Sequence, residues 1–273
     1  MVKRIACFLT CGYTESGAMQ AFLSKINNHY EYKQFLPNKT IKKKGMAKTI
    51  DKEISGLTGE KLLLKVYSII EAHKGELAEF SAILIEDDLD GRFQGWDEVE
   101  INQYNQAIKN KIKQKMGKDI PVFIVYASPE IESWFVADWD NGFGFLYCYS
   151  GFVTDVRAEA RKFYAYHLRL YINRVILGQY ENDIENYGFF EGRYVKLSDK
   201  IIDALQNGFR EYIESMSGIS KKIVLEIQNS RCLCYSKKSH GQNMLRNIIP
   251  QNMLGKCYRY FKGLFYELEK FNG

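Results

Sequence analysis

The chain has 273 residues, 46% of them hydrophobic and 26% charged, and a net charge of +5. That length fits one large domain, or a core with a second element, and the apolar share supports a sizeable interior. No apolar run approaches the ~20 residues of a membrane helix. The opening MVKRIACFLT lacks a signal peptide's cleavage site, and six irregularly spaced cysteines fit free thiols in a reducing, cytoplasmic setting.

In chain order, residues 3–10 read as a buried strand. A helix is predicted over 14–27, with Ala18, Phe22, Leu23 and Ile26 on one face. The lysine-rich stretch 36–58 reads as an exposed loop. KLLLKVYSIIEAHKG, 61–75, is predicted as a helix stopping at Gly75. FSAILIEDDLDG, 80–91, is a second buried strand that runs straight into acids. A third helix is predicted over 97–116, where Ile101, Tyr104, Ile108 and Ile112 recur at helical spacing. PVFIVYA, 121–127, is another strand, and Pro129 suits the first turn of a following helix. Strands alternating with helices predict an α/β fold: a Rossmann-like parallel sheet flanked by helices, with right-handed crossovers.

After Asp140 the texture changes. NGFGFLYCYSGF is aromatic and glycine-rich, and helical patterns then dominate at 156–177, 199–216 and 252–270. The expected organisation is a core over 1–140 and a mainly helical region over 141–273 that packs on the core or completes it. Charge follows a related division. From Ser220 onward there are ten Lys/Arg and three acids, whereas the first 219 residues hold 28 and 30. A basic tail points to a polyanionic partner such as nucleic acid, and equally to a solvated helical surface.

Three predicted strands end in acids: Glu15 after the first, Asp88 and Asp90 after the second, Glu130 and Glu132 after the third. In a parallel sheet these ends share one edge, where carboxylates repel each other unless a cation intervenes. Hard oxygen donors suit Mg²⁺ or Mn²⁺, and two such ions can clamp a phosphodiester. Residues two apart on a strand point the same way, so Asp88 and Asp90 are expected to reach one ion pair together. Each motif taken alone reads better as a turn or a helix start than as a ligand set; their order together favours a metal site.

These residues resemble the Toprim fold, the acidic domain of topoisomerases, primases, small maturation nucleases and OLD-family nucleases. The Toprim pattern of a strand ending in Glu-Gly, then a helix, then a strand ending in Asp-x-Asp is similar to Cys11-Gly12-Tyr13-Thr14-Glu15 and Asp88-Leu89-Asp90-Gly91. The nuclease branch adds a second glutamate, matching Glu15, and a later acidic strand end, matching Glu130 and Glu132. The chain resembles more closely a group of bacterial Toprim-like proteins with the phrase Glu132-Ser133-Trp134-Phe135-Val136-Ala137-Asp138. Their C-terminal pattern corresponds here to Tyr235-Ser236-Lys237-Lys238-Ser239-His240-Gly241 and Cys257-Tyr258-Arg259-Tyr260-Phe261.

The resemblance implies a Mg²⁺- or Mn²⁺-dependent nuclease acting on DNA or RNA. Glu15, Asp88, Asp90, Glu130 and Glu132 would be ligands, and Lys237 would give electrostatic support to the phosphate. Lys237, Lys238, His240 and Arg246 are the candidate nucleic-acid contacts. Similar proteins are often encoded beside ABC-type ATPases in defence operons, which implies a role in antiviral defence. An ATPase and a second copy of the chain are therefore carried as partner expectations, with no membrane partner. One departure matters: Cys11 stands where the pattern has its invariant glutamate, and a thiol prefers softer ions. The rival expectation is a catalytically impaired regulatory or binding subunit of an ATPase complex. An RNA-processing nuclease is a third. Cys232-Leu233-Cys234 lacks the second pair of a zinc site.

Overall fold

The computed structural model describes residues 3–10, 12–37, 56–148, 158–190, 193–215 and 235–273. Four parallel strands form its sheet: β1 (Lys3–Phe8), β2 (Tyr30–Leu36), β3 (Ala82–Asp88) and β4 (Val122–Ala127), in the order β2-β1-β3-β4. The strands are rich in β-branched and aromatic residues, as a sheet buried on both faces requires. β2 was not among the predicted strands. Its signal is Tyr30 and Tyr32, both buried, with exposed Glu31 between them.

Alternation along the strands sorts side chains between two faces. Ile5, Cys7, Leu84, Phe123 and Val125 point to one face, and Ala6, Phe8, Ile83, Ile85 and Val122 to the other. The second face is covered by α2 (Gly59–Ala72) and α4 (Glu98–Met116) through Leu62, Val66, Ile70, Ile108 and Ile112. The four-residue α3 (Lys74–Leu77) follows α2. α4 has the boundaries its sequence predicts. Asp97 and Glu100 form a reciprocal capping box, and Gly117 closes the helix in the left-handed region at φ 68°.

The first face is covered by α1 (Met19–Leu23), α5 (Glu132–Ala137) and much of residues 141–273. One apolar cluster runs from Ile5 through Phe22 and Trp134 to Leu168, Met244, Phe261 and Leu264. Polar pins add to it. Lys25 Nζ donates to the carbonyls of Arg246, Asn247 and Ile248 at 2.6, 3.1 and 2.8 Å. The Asp138 carboxylate accepts from Ile249 N at 2.7 Å and from Asn252 at 3.0 Å.

Three predicted helices are shorter or broken, one being 61–75, where α2 ends at Ala72 and Gly75 lies inside α3 and does not stop the helix. Residues 13–18 are turns, with Gly17 at φ 77°, so only Met19–Leu23 of 14–27 is helical. Pro129 precedes α5 instead of opening its first turn. The 252–270 pattern divides into Pro250–Met253 and Phe261–Glu269. Among the described residues, no helix is long and apolar enough to cross a membrane, and Cys7 and Cys257 are free thiols.

α1 follows β1 on the first face, whereas α4 follows β3 on the second. The neighbouring strands β1 and β3 therefore send their exits to opposite sides. This is a topological switch point, the position at which sheets of this kind form a binding crevice.

Candidate acidic site

Within β3, Ala82 and Leu84 face the first side, so period two carries Glu86 and Asp88 there as well. Asp87 goes the other way. It accepts from Gly59 N at the start of α2, at 3.1 and 3.2 Å, and pairs with Arg92 at 2.6 Å. Asp87 is thus occupied as a helix cap.

Thr10, just past β1, ties the two central strands together. Its N–H donates to Glu86 Oε2 at 2.9 Å, and its hydroxyl accepts from Asp88 N at 3.1 Å. Glu15 lies in the following turn and is 2% exposed. Glu15 Oε2 lies so close to Gly12 that a Cβ there would displace the carboxylate.

Glu130 and Glu132 enter from the β4–α5 connection, both buried. Glu130 accepts from Ser198 N at 2.5 Å, Ser198 Oγ at 3.0 Å and Lys237 Nζ at 2.9 Å. Glu132 accepts from Tyr235 Oη at 2.6 Å, and Lys237 Nζ stands 2.9 Å from its Oε2. Lys237 lies in the turn Lys237–Gly241, pressed so close to the Glu15 loop that a Cβ at Gly241 would strike Thr14 Oγ1.

Lys237 thus pairs with Glu130 and Glu132 and acts on Glu15 and Asp88, while Glu86 lies beside Glu15. Burial, then the neighbouring Glu132, raises Glu15 from 4.5 to about 7. Burial and the charge of Glu15 push Glu86 well above the usual range. Asp88 is likewise raised by burial, Glu86 and Glu15. Burial opposes the charge on Lys237, but Glu132, Glu130 and Asp88 outweigh it, so the ammonium is held protonated. Glu15 Oε2, Glu86 Oε1, Asp88 Oδ1 and Glu132 Oε2 are buried without a hydrogen-bond partner, the last of them 2.9 Å from the Lys237 ammonium. A buried polar atom left unpaired is costly and calls for a ligand.

The unpartnered oxygens are hard donors and fit Mg²⁺ or Mn²⁺ chemically. Among the described residues, no three His, Cys, Asp or Glu side chains form a ready-made metal cage. The candidates to hold an ion are Glu15, Glu86 and Asp88.

Of the residues predicted for the site, Glu15, Asp88, Glu130, Glu132 and Lys237 come together. Asp90 does not share Asp88's direction. β3 ends at Asp88, and Asp90 turns into the left-handed region at φ 45°, where its carboxylate pairs with Lys196 at 3.2 Å. The same-direction rule holds inside the extended strand, and there it selects Glu86, which the sequence reading passed over. Thr10, Ser198 and Tyr235 were also missed. Lys238 lies at the rim, 5.4 Å from the ring centre of exposed Tyr13. His240 accepts from Ser236 N through Nδ1 at 3.1 Å, and burial lowers its pKa. Arg246 donates to Gly17 O at 3.0 Å. Cys11, Cys232 and Cys234 lie outside the described residues.

No protein-family model matches the chain, and neither a curated protein nor a solved structure matches it significantly.

Proposed function

We propose that the chain is a Toprim-like, metal-dependent nuclease that hydrolyses phosphodiester bonds of DNA or RNA. The observation that carries this reading is the set of unpartnered carboxylate oxygens on Glu15, Glu86 and Asp88, buried at the sheet's switch point beside a tethered ammonium. A bound Mg²⁺ or Mn²⁺ would neutralise these acids and act as Lewis acid toward a phosphate oxygen or a water. Lys237 supplies a fixed positive charge for a phosphate in the crevice. Lys238 and Tyr13 at the rim offer a cation and a ring face to an incoming strand. An effector role in antiviral defence, with an ABC-type ATPase as partner, rests on the sequence resemblance.

The test is cleavage of single-stranded DNA, duplex DNA and tRNA-like RNA with Mg²⁺ or Mn²⁺. Asp88→Asn is expected to reduce cleavage by more than the ~100-fold typical of losing a supporting hydrogen bond around a metal. Cleavage by Asp88→Asn at the wild-type rate, or none by the wild type, overturns the proposal.

A regulatory or binding subunit of an ATPase complex is the second reading. It is favoured by the absence of a three-ligand cage among the described residues and by the existing partners of Glu130 and Glu132. Mn²⁺ titration separates the two, because an impaired site binds weakly or not at all.

A further inference from the structure

β4 is the last strand on its side of the sheet, and among the described residues no strand pairs with its outer edge. Ile83 N donates to Pro121 O and Leu89 N to Ala127 O, each at 2.9 Å. In a parallel ladder, alternate residues of a strand turn their main-chain groups to the same neighbour. Residues 121, 123, 125 and 127 therefore face β3, and Val122, Ile124 and Tyr126 turn their N–H and C=O groups to the open edge. That edge reads VFIVYA over Val122–Ala127, with neither a charge nor a proline to discourage pairing. It floors a cavity of about 340 Å³ between α4 and the helix Phe261–Glu269.

The α4 wall of this cavity carries a self-complementary stripe. Glu98, Asn102, Asn105, Gln106, Lys109 and Lys113 share one face of the helix by their spacing. The four in the middle line the cavity. Tyr126 Oη donates to Asn105 Oδ1 at 2.6 Å, which ties the centre of the stripe to β4. An acid stands at one end, lysines at the other, and uncharged amides between. Laid antiparallel on a second copy, the stripe sets Glu98 against Lys113, Asn102 against Lys109 and Asn105 against Gln106. A two-fold axis demands that reciprocity. The axis would pass between Asn105 and Gln106, and the outward groups of β4 are centred beside them on Ile124. Lys113 pairs within its own chain with the exposed Asp119 at 2.6 Å, a surface contact that contributes little.

We infer that two copies of the chain associate through this face, with their β4 edges antiparallel and their α4 stripes in contact, so that the two sheets become one. The surface is separate from the acidic site and does not depend on the nuclease reading.

Sedimentation of the full chain in the presence of a chelator, with hydrogen exchange followed at single amides, tests this. The wild type is expected to dimerise as concentration rises, and the Ile124 and Tyr126 amides to gain protection in step with the dimer. Glu98→Lys and Lys113→Glu each place like charges together at two symmetry-related positions. Each is expected to raise the dissociation constant about tenfold, and the double variant, which restores both pairs with reversed sign, to return it close to the wild-type value. A monomer at every concentration overturns the inference and leaves the edge to an extended segment of another protein. A dimer in which these two amides exchange as fast as in the monomer also overturns it, as does a double variant as weak as the single ones.

Discussion

Thr10 and Glu86 are joined through both main chain and side chain. The Thr10 N–H lies 2.9 Å from Glu86 Oε2 and 3.0 Å from Glu86 O, and the Thr10 hydroxyl donates to that carbonyl at 3.4 Å. The same hydroxyl accepts from Asp88 N. One small residue past β1 therefore fixes both inward-facing acids of β3. Thr10→Val keeps the shape and removes the hydroxyl, stranding a buried N–H. It is expected to destabilise the chain by about 1–3 kcal/mol, read from chemical denaturation at constant slope.

Glu185 provides a pH test outside the acidic site. Its carboxylate accepts from the backbone N–H groups of Arg259, Tyr260 and Phe261 at 2.6, 3.1 and 3.1 Å. Burial nevertheless raises its pKa from 4.5 to about 7, against those bonds. A folded pKa above the unfolded one means stability that is complete below pH 4.5 and is lost as pH rises through about 7. Melting temperature is expected to fall between pH 5 and pH 8, and Glu185→Gln to flatten that fall while lowering stability at pH 5. Thermal melts of both proteins across this range check it.

Residues 1–140 are not expected to fold alone. Without the later helices, one face of the sheet would expose the cluster around Ile5, Cys7, Leu84, Val125 and Trp134. An exposed apolar area of that kind leads to aggregation or a loosely packed state. The fragment is expected to bind a hydrophobic dye and to lack a cooperative melt; a sharp transition matching that of the full chain counts against this reading.

Lys238 stands apart from the acid cluster and is free to meet a phosphate. Lys238→Ala is expected to weaken nucleic-acid binding and to reduce the slope of log affinity against log salt by about 0.7 for a single strand. Fluorescence anisotropy in the presence of a chelator measures this without cleavage. An unchanged slope removes Lys238 from the interface.

Much of the sheet was legible because β1, β3 and β4 are short apolar runs bounded by turn or acid signals. α4 was legible down to its cap, since Asp97 and Glu100 act within one turn of each other. β2 was not, because Lys33 and Gln34 interrupt its alternation and both are only half-buried. The site was legible as a collection of acids but not as two groups. Ser198 reaches Glu130 across 68 residues and Tyr235 reaches Glu132 across 103, and no local periodicity records such pairings. Asp90 was misjudged because strand alternation was extended one step beyond the end of β3.

The ammonium of Lys237 also sets an order in time. A ribosome makes Glu15, Glu86, Asp88, Glu130 and Glu132 long before it reaches position 237. Until then the nascent chain carries these acids without their internal counterion, and the face above them lacks the segment that carries it. The acids therefore gain their internal counterion only after residue 237 has been made.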